Sequence, residues 1–292
     1  MKALLSFIYC VALILTAPLS LAMANPIQSH YFKTSDGVEL HYLEAGQGEN
    51  TIVFIPGWLM PASIFERQLL VLSNHYRVLA LDPRSQGKSQ LTGLSHAPAR
   101  RTQDIEELLT AAKVNQFILA GWSLGVLEVL DYLSKNKPTG LKGLILIDNS
   151  VGEGKPPPAR NTNFTKTMQD PASREKYLRD FSQSMFREPA PQTMMQAILD
   201  SVLRVPPNIA LQLINQPYPR THWSRALAGQ QVPVLYAIRP RFQDQANDLL
   251  LKRNKKLIQV EIFDSAGHAL FVDDAKRFNS VALAFSNMAF NQ

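Results

Sequence analysis

The apolar positions of this chain switch between two periods. Residues 38–43 alternate polar and apolar, while residues 51–55, 76–81, 117–120 and 144–147 are nearly unbroken apolar runs. The first pattern predicts a half-exposed strand and the others predict strands covered on both faces. Each covered run stops at a turn-forming or polar residue: Pro56-Gly57, Asp82-Pro83, Gly121 and Asp148. Between them, residues 63–73, 102–112 and 124–133 carry the longer spacing of amphipathic helices. Strands that alternate with helices predict a mostly parallel, doubly wound α/β sheet.

The rhythm breaks after Ser150. Residues 151–231 contain no run that reads as a buried strand. Gly152-Glu153-Gly154-Lys155-Pro156-Pro157-Pro158 reads as a linker. Met195, Ile198, Leu199, Val202 and Leu203 then recur at helical spacing and predict one apolar helix face. From residue 232 the first rhythm returns, with strands expected at 232–238 and 257–263 and helices at 244–253 and 275–290. The expected organisation is an α/β core, residues 25–150 and 232–292, interrupted by a helical cap, residues 151–231.

The N-terminus follows a third pattern. Met1-Lys2 is followed by an apolar run from Ala3 to Ala17 and by small residues around Ala24. This is the pattern of a signal peptide over residues 1–24, and it predicts export, periplasmic or secreted, from a bacterial cell. The run is shorter than the roughly 20 residues that cross a bilayer, so no stable membrane span is expected after cleavage. Cys10, the only cysteine, lies inside that run. The mature chain therefore has neither a disulfide nor a thiol nucleophile.

Composition narrows the function classes. Of 292 residues, 46% are hydrophobic and 18% charged, which places the chain among globular proteins, and the formal charge is +6. The densest basic stretch, Lys252 to Lys256, reads as the solvated end of a helix, and nothing predicts a nucleic-acid partner. No His and acidic residues fall at metal-ligand spacing, and no phosphate loop or dinucleotide fingerprint follows a strand, so neither metal nor cofactor is expected.

The sharpest chemical signal is Gly121-Trp122-Ser123-Leu124-Gly125, placed between an expected strand and an expected helix. A serine at such a turn is held in a strained conformation that exposes its hydroxyl, and glycines on either side let neighbouring backbone approach. The helix that begins at Leu124 directs its positive end at Ser123. Of six histidines, His268 alone follows the last expected strand, where a general base can reach back to the serine. Phe54-Ile55-Pro56-Gly57-Trp58 ends a strand, and there the Trp58 N–H, with the Leu124 N–H, can form an oxyanion hole.

Four stretches together resemble the α/β-hydrolase superfamily with a helical cap: Pro56-Gly57-Trp58, Asp82 to Ser89, Gly121 to Gly125, and Ala266-Gly267-His268-Ala269-Leu270-Phe271. The resemblance covers the mature chain. It implies Ser123 as nucleophile, His268 as base, and Trp58 and Leu124 as oxyanion donors. The chain departs from the family in having Pro56 before Gly57 where histidine is frequent, and Ser85 and Val126 where glycines are frequent. The family's acid usually sits in a Gly-x-x-Asp turn after the seventh strand. Here that strand runs into Arg239-Pro240-Arg241-Phe242-Gln243-Asp244, without a glycine. Asp244 is the first candidate, Asp148 at the end of the sixth strand its rival, and Asp248 a third, deeper in the helix.

A serine nucleophile excludes the dehalogenases and epoxide hydrolases of this fold, which use aspartate at the elbow. It points to acyl transfer to water. Phe164, Met168, Tyr177, Phe181, Met185, Phe186, Met194, Met195, Tyr218 and Trp223 in the cap suggest an apolar pocket and a small or medium ester, possibly a lactone. Thioesterase, amidase, perhydrolase and carbon–carbon hydrolase chemistry use the same triad. The elbow also resembles that of pimeloyl-type methyl ester esterases, whose cytosolic role an export signal disfavours. A non-catalytic binding scaffold is the alternative from another class.

Overall fold

The computed structural model describes residues 26–155, 163–253 and 257–292. The expected signal segment 1–24, with Cys10, lies outside the described residues, as do Pro156 to Pro158 of the linker.

Eight strands form one sheet in the order β1-β2-β4-β3-β5-β6-β7-β8. They are β1 (Gln28–Lys33), β2 (Glu39–Ala45), β3 (Asn50–Ile55), β4 (Arg77–Asp82), β5 (Gln116–Trp122), β6 (Leu141–Ile147), β7 (Val234–Ile238) and β8 (Ile258–Ile262). β1 pairs with β2 and β2 with β4 antiparallel; every pair from β4 through β3, β5, β6 and β7 to β8 is parallel. The unbroken apolar runs occupy the middle of this sheet because helices cover both of its faces. Ile52, Val53, Phe54 and Ile55 of β3 are all fully buried, as are Leu144 to Ile147 of β6. β1 escaped the pattern. Its Gln-Ser-His-Tyr-Phe-Lys sequence is an edge strand with mostly exposed side chains, so few positions had to be apolar.

The flanking helices are α1 (Glu66–Leu72), α2 (Pro98–Ala111) and α3 (Leu124–Lys135). Between β6 and β7 follow α4 (Phe164–Gln169), α5 (Pro171–Gln183), α6 (Gln192–Arg204), α7 (Pro207–Ile214) and α8 (Arg220–Ala228). The chain closes with α9 (Gln243–Lys252), α10 (Leu270–Asp273) and α11 (Ala275–Phe290). The apolar face expected over Met195–Leu203 is the inner face of α6, where Ile198 and Val202 are fully buried.

One boundary moves. Residues 151–231 read as a single cap, yet α8 packs along α3 on a flank of the sheet, with Trp223, Ala226 and Leu227 in the same core cluster as Val129, Leu130 and Val234. α8 belongs to the α/β layer, and its short helical run was indistinguishable in sequence from those before it. No single described helix is long and apolar enough to cross a membrane.

Candidate active site

The site is built at the C-terminal ends of β3, β5, β6 and β7, where parallel strands expose their last residues and helices begin. Ser123 ends β5. Its N–H donates to the Ile147 carbonyl at 3.0 Å, and its backbone is at φ 54°, ψ −120°, in the left-handed half of conformational space. The flanking glycines are steric requirements. A Cβ on Gly121 would lie 2.5 Å from the Gly125 carbonyl oxygen, and one on Gly125 would collide with the Ile55 carbonyl. Asn149 fixes the turn from beside it, its Nδ2 donating to the Ser123 carbonyl at 2.6 Å.

The Pro56-Gly57-Trp58 turn lies against this elbow. A Cβ on Gly57 would stand 3.1 Å from Ser123 Cβ. Leu124 is the first residue of α3, so its N–H has no partner within the helix. Neither it nor the Trp58 N–H is taken up by a loop or turn carbonyl among the described residues. Two free donors thus flank Ser123. The Trp58 side chain has a separate task. Its indole Nε1 donates to the Ala210 carbonyl of α7 at 2.8 Å, and its ring packs edge-on to Phe181 of α5, which ties these helices to the Pro56-Gly57-Trp58 turn.

His268 lies in the loop between β8 and α10 and lines a cavity together with Ser123. Trp122 holds this loop: its Nε1 donates to the His268 carbonyl at 2.9 Å, and its ring lies 5.1 Å from the imidazole. Asp273 holds the other side, its Oδ2 accepting from the Gly267 N–H at 2.6 Å and from the Arg187 N–H at 2.8 Å.

The carboxylate behind His268 is Asp148, with Oδ2 2.6 Å from His268 Nδ1. Its side chain is fully buried and its backbone is also left-handed, at φ 46°. Asp244, the first candidate in sequence, does not reach the histidine. After Ile238 the chain makes a single 3-10 turn, Pro240–Phe242, and α9 begins at once, which carries Asp244 into an exposed first turn. Asp248 lies a turn further along and makes no bond to His268 either, among the described residues. The missing glycine was the sign that no Gly-x-x-Asp turn forms here.

Arg239 occupies the end of β7 instead. Its backbone N–H donates to Asp148 Oδ1 at 2.9 Å and its Nε to Oδ2 at 2.6 Å, while its Nη2 lies 3.4 Å from His268 Nδ1. Burial alone would raise the Asp148 pKa. The hydrogen bond from His268, the charges of His268 and Arg239, and the Arg239 N–H outweigh it and hold the carboxyl below its ordinary value. Asp148 is therefore an anion at neutral pH, able to orient His268 and to stabilise its protonated form. Sequence reasoning missed Trp122 and Arg239. Trp122 was visible as the variable residue of the elbow pentapeptide, whereas Arg239 carried no signal apart from the lost acid.

Ser123 opens onto two cavities. One of about 690 Å³ has an apolar side of Trp58, Leu124, Leu127, Phe181, Ile214 and Trp223 and a polar side that includes Asn215, Gln216 and Arg220; the other, of about 320 Å³, holds His268, Asp148 and two arginines. No group of three or more potential metal ligands occurs among the described residues.

Comparison with known proteins places the fold. A model described as the alpha/beta hydrolase family matches residues 52–281. The AB hydrolase superfamily protein YisY of Bacillus subtilis is 24% identical over 273 residues, 88% of this chain and 99% of that protein. A non-heme chloroperoxidase of Streptomyces lividans is 29% identical over 116 residues, which span 39% of this chain and 42% of that protein. Among solved structures, esterase RhEst1 from Rhodococcus sp. ECU1013 superposes with a TM-score of 0.75 at 22% identity, covering 91% of this chain and all of that one. At that identity the likeness is one of fold.

Proposed function

The chain belongs to the alpha/beta hydrolase family, and from that premise we propose that it is a serine esterase that cleaves a small or medium carboxylic ester, lactones included, through an acyl-enzyme on Ser123. The observation that carries this reading is a strained Ser123 sharing a cavity with His268, whose Nδ1 is backed at 2.6 Å by Asp148.

In the proposed reaction Ser123 Oγ attacks the ester carbonyl while His268 Nε2 takes its proton. The oxyanion that forms is met by the Trp58 and Leu124 N–H groups, aided by the N-terminal end of α3. His268 returns the proton to the leaving alkoxide, which departs as the alcohol. Water, deprotonated by the same imidazole, then attacks the acyl-serine and frees the acid. Asp148 keeps the Nδ1 proton in place and stabilises the imidazolium without taking that proton. The apolar side chains of the larger cavity, Trp58, Leu127, Phe181, Ile214 and Trp223 among them, support an ester that carries an apolar group.

The test is hydrolysis of p-nitrophenyl acetate and butyrate by the wild type and by Ser123→Ala. Ester cleavage lost in the variant supports the reading, and cleavage that survives in it contradicts the reading. The kinship with a chloroperoxidase favours one second reading, in which hydrogen peroxide accepts the acyl group in place of water. Peracid formation from acetate and peroxide by the wild type, faster than ester hydrolysis, would establish that reading. We also propose export, on the pattern of residues 1–24; recovery of the chain in the cytosolic fraction of a bacterial host would refute it.

A further inference from the structure

We propose that the smaller of the two cavities at Ser123 recognises a carboxylate on the substrate, so that the preferred esters are anionic at one end and apolar at the other. This inference rests on the esterase reading and adds its substrate class.

The two cavities differ in chemistry. The larger combines aromatic and aliphatic side chains with neutral polar ones, and its one charged residue, Arg220, is engaged by Ser150 Oγ and the Glu153 and Gly154 carbonyls. The smaller, about 320 Å³, is lined by Asn149, Ser184, Arg239, Arg241 and the Ser123–His268–Asp148 group, with Met185 and Phe242 as its apolar members. Asp148 is its one carboxylate, and His268 and Arg239 already saturate that group. Arg239 uses its Nε on Asp148, and its Nη1 has no partner among the described residues. Arg241 has no ion pair and no hydrogen bond among them. Its guanidinium lies 4.7 Å from the ring centroid of Phe242, itself a buried residue.

An exposed arginine is usually just solvated. Arg241 differs in three respects. It lines the cavity that contains the nucleophile and base, stacking on Phe242 limits its motion, and nothing in the cavity neutralises it. A planar guanidinium with free N–H groups matches a carboxylate through two parallel hydrogen bonds. A substrate whose carbonyl lies over Ser123 can extend its apolar end toward Trp223 and its charged end toward Arg241. Half-esters of dicarboxylic acids fit this, as do esters of hydroxy acids; they differ in whether the charge sits on the acyl or the alcohol side.

The experiment compares two matched pairs at low ionic strength. On the acyl side, 4-nitrophenyl hemiglutarate is set against 4-nitrophenyl valerate; on the alcohol side, 4-carboxyphenyl butyrate is set against phenyl butyrate. For at least one pair the wild type should favour the anion about tenfold in kcat/KM, and added salt should erode that preference, as screening requires. Arg241→Gln should bring the ratio near one and Arg241→Glu should invert it, with circular dichroism confirming that both variants are folded. Ratios near one for both pairs in the wild type, with neutral esters still cleaved, would overturn the carboxylate site and leave the esterase reading intact. A preference that survives Arg241→Glu would also overturn the site. Cleavage of no ester at all would sink both.

Discussion

Ser123, Asp148 and Leu59 all take positive φ without being glycine; the first two directly follow β5 and β6, and Leu59 lies in the turn after β3. Such backbone costs of order 1–3 kcal/mol per residue and persists where its surroundings over-determine it. Ser123→Gly should therefore be more stable than Ser123→Ala by about 1 kcal/mol in urea denaturation, although both remove the hydroxyl. The acid makes a second prediction at this scale. Asp148→Asn should lower kcat by about a thousandfold or more, because the amide cannot stabilise the imidazolium, whereas Asp244→Asn should stay within about twofold. Steady-state kinetics on one neutral ester decides between them. That Ser123, His268 and the Trp58 and Leu124 backbones meet at one place was legible because each follows a strand at a fixed point along the chain. The carboxylate that reaches His268 was not, because Asp148 and Asp244 each come after a strand, and the side chain that distinguishes them, Arg239, says nothing in sequence about where it points.

At the scale of elements, the buried strands were legible because four-sided burial demands apolar residues at every position. β1 was not, since an edge strand needs few of them. The cap docks through α6. Ser201 Oγ donates to the Leu59 carbonyl at 2.7 Å and accepts from the Gly87 N–H at 3.0 Å, and Arg204 donates to the Gly87 and Ser89 carbonyls. The stretch Asp82 to Ser89 is thus a platform for the cap as well as a turn. Ser85 stands in the left-handed conformation at φ 63°, which explains why glycine is frequent there in the family, and its hydroxyl pairs with His96 Nε2 at 2.8 Å. Ile198 of α6 is fully buried under this contact. Ile198→Ala should destabilise the protein by about 2–5 kcal/mol, measured by urea denaturation, since the cavity left behind is too enclosed to collapse. A loss under 1 kcal/mol would mean that α6 is only loosely docked.

For the whole molecule, burial of His96 contributes to the response to acid. Burial first, then the charges of Arg84 and Arg101, push His96 down to about 4 from an ordinary 6.5. The unfolded chain takes up a proton near pH 6.5 and the folded one does not until about pH 4. Stability should fall as pH drops through that window and be independent of this group above it. In His96→Gln the loss between pH 7 and 4.5 should be smaller, by at most about 1.4 kcal/mol per pH unit. Equal losses in both proteins would contradict the assignment. The fold also contains a second grouping of triad residue types. Ser29 Oγ lies 3.0 Å from His41 Nε2, and His41 Nδ1 lies 2.7 Å from Asp82 Oδ2. His41 is only 1% exposed, and Asp82 also accepts from the Ala62 and Lys88 N–H groups, so this set serves as a structural bond between β1, β2 and β4.

That contrast sharpens the central claim, which is that Ser123 is the nucleophile. The most direct measurement is reaction of the intact protein with a fluorophosphonate, followed by mass-spectrometric mapping of the modified peptide. One adduct on Ser123, absent from Ser123→Ala, is the result predicted. An adduct on Ser29 or any other serine, or no adduct from a preparation that still hydrolyses esters, would contradict it.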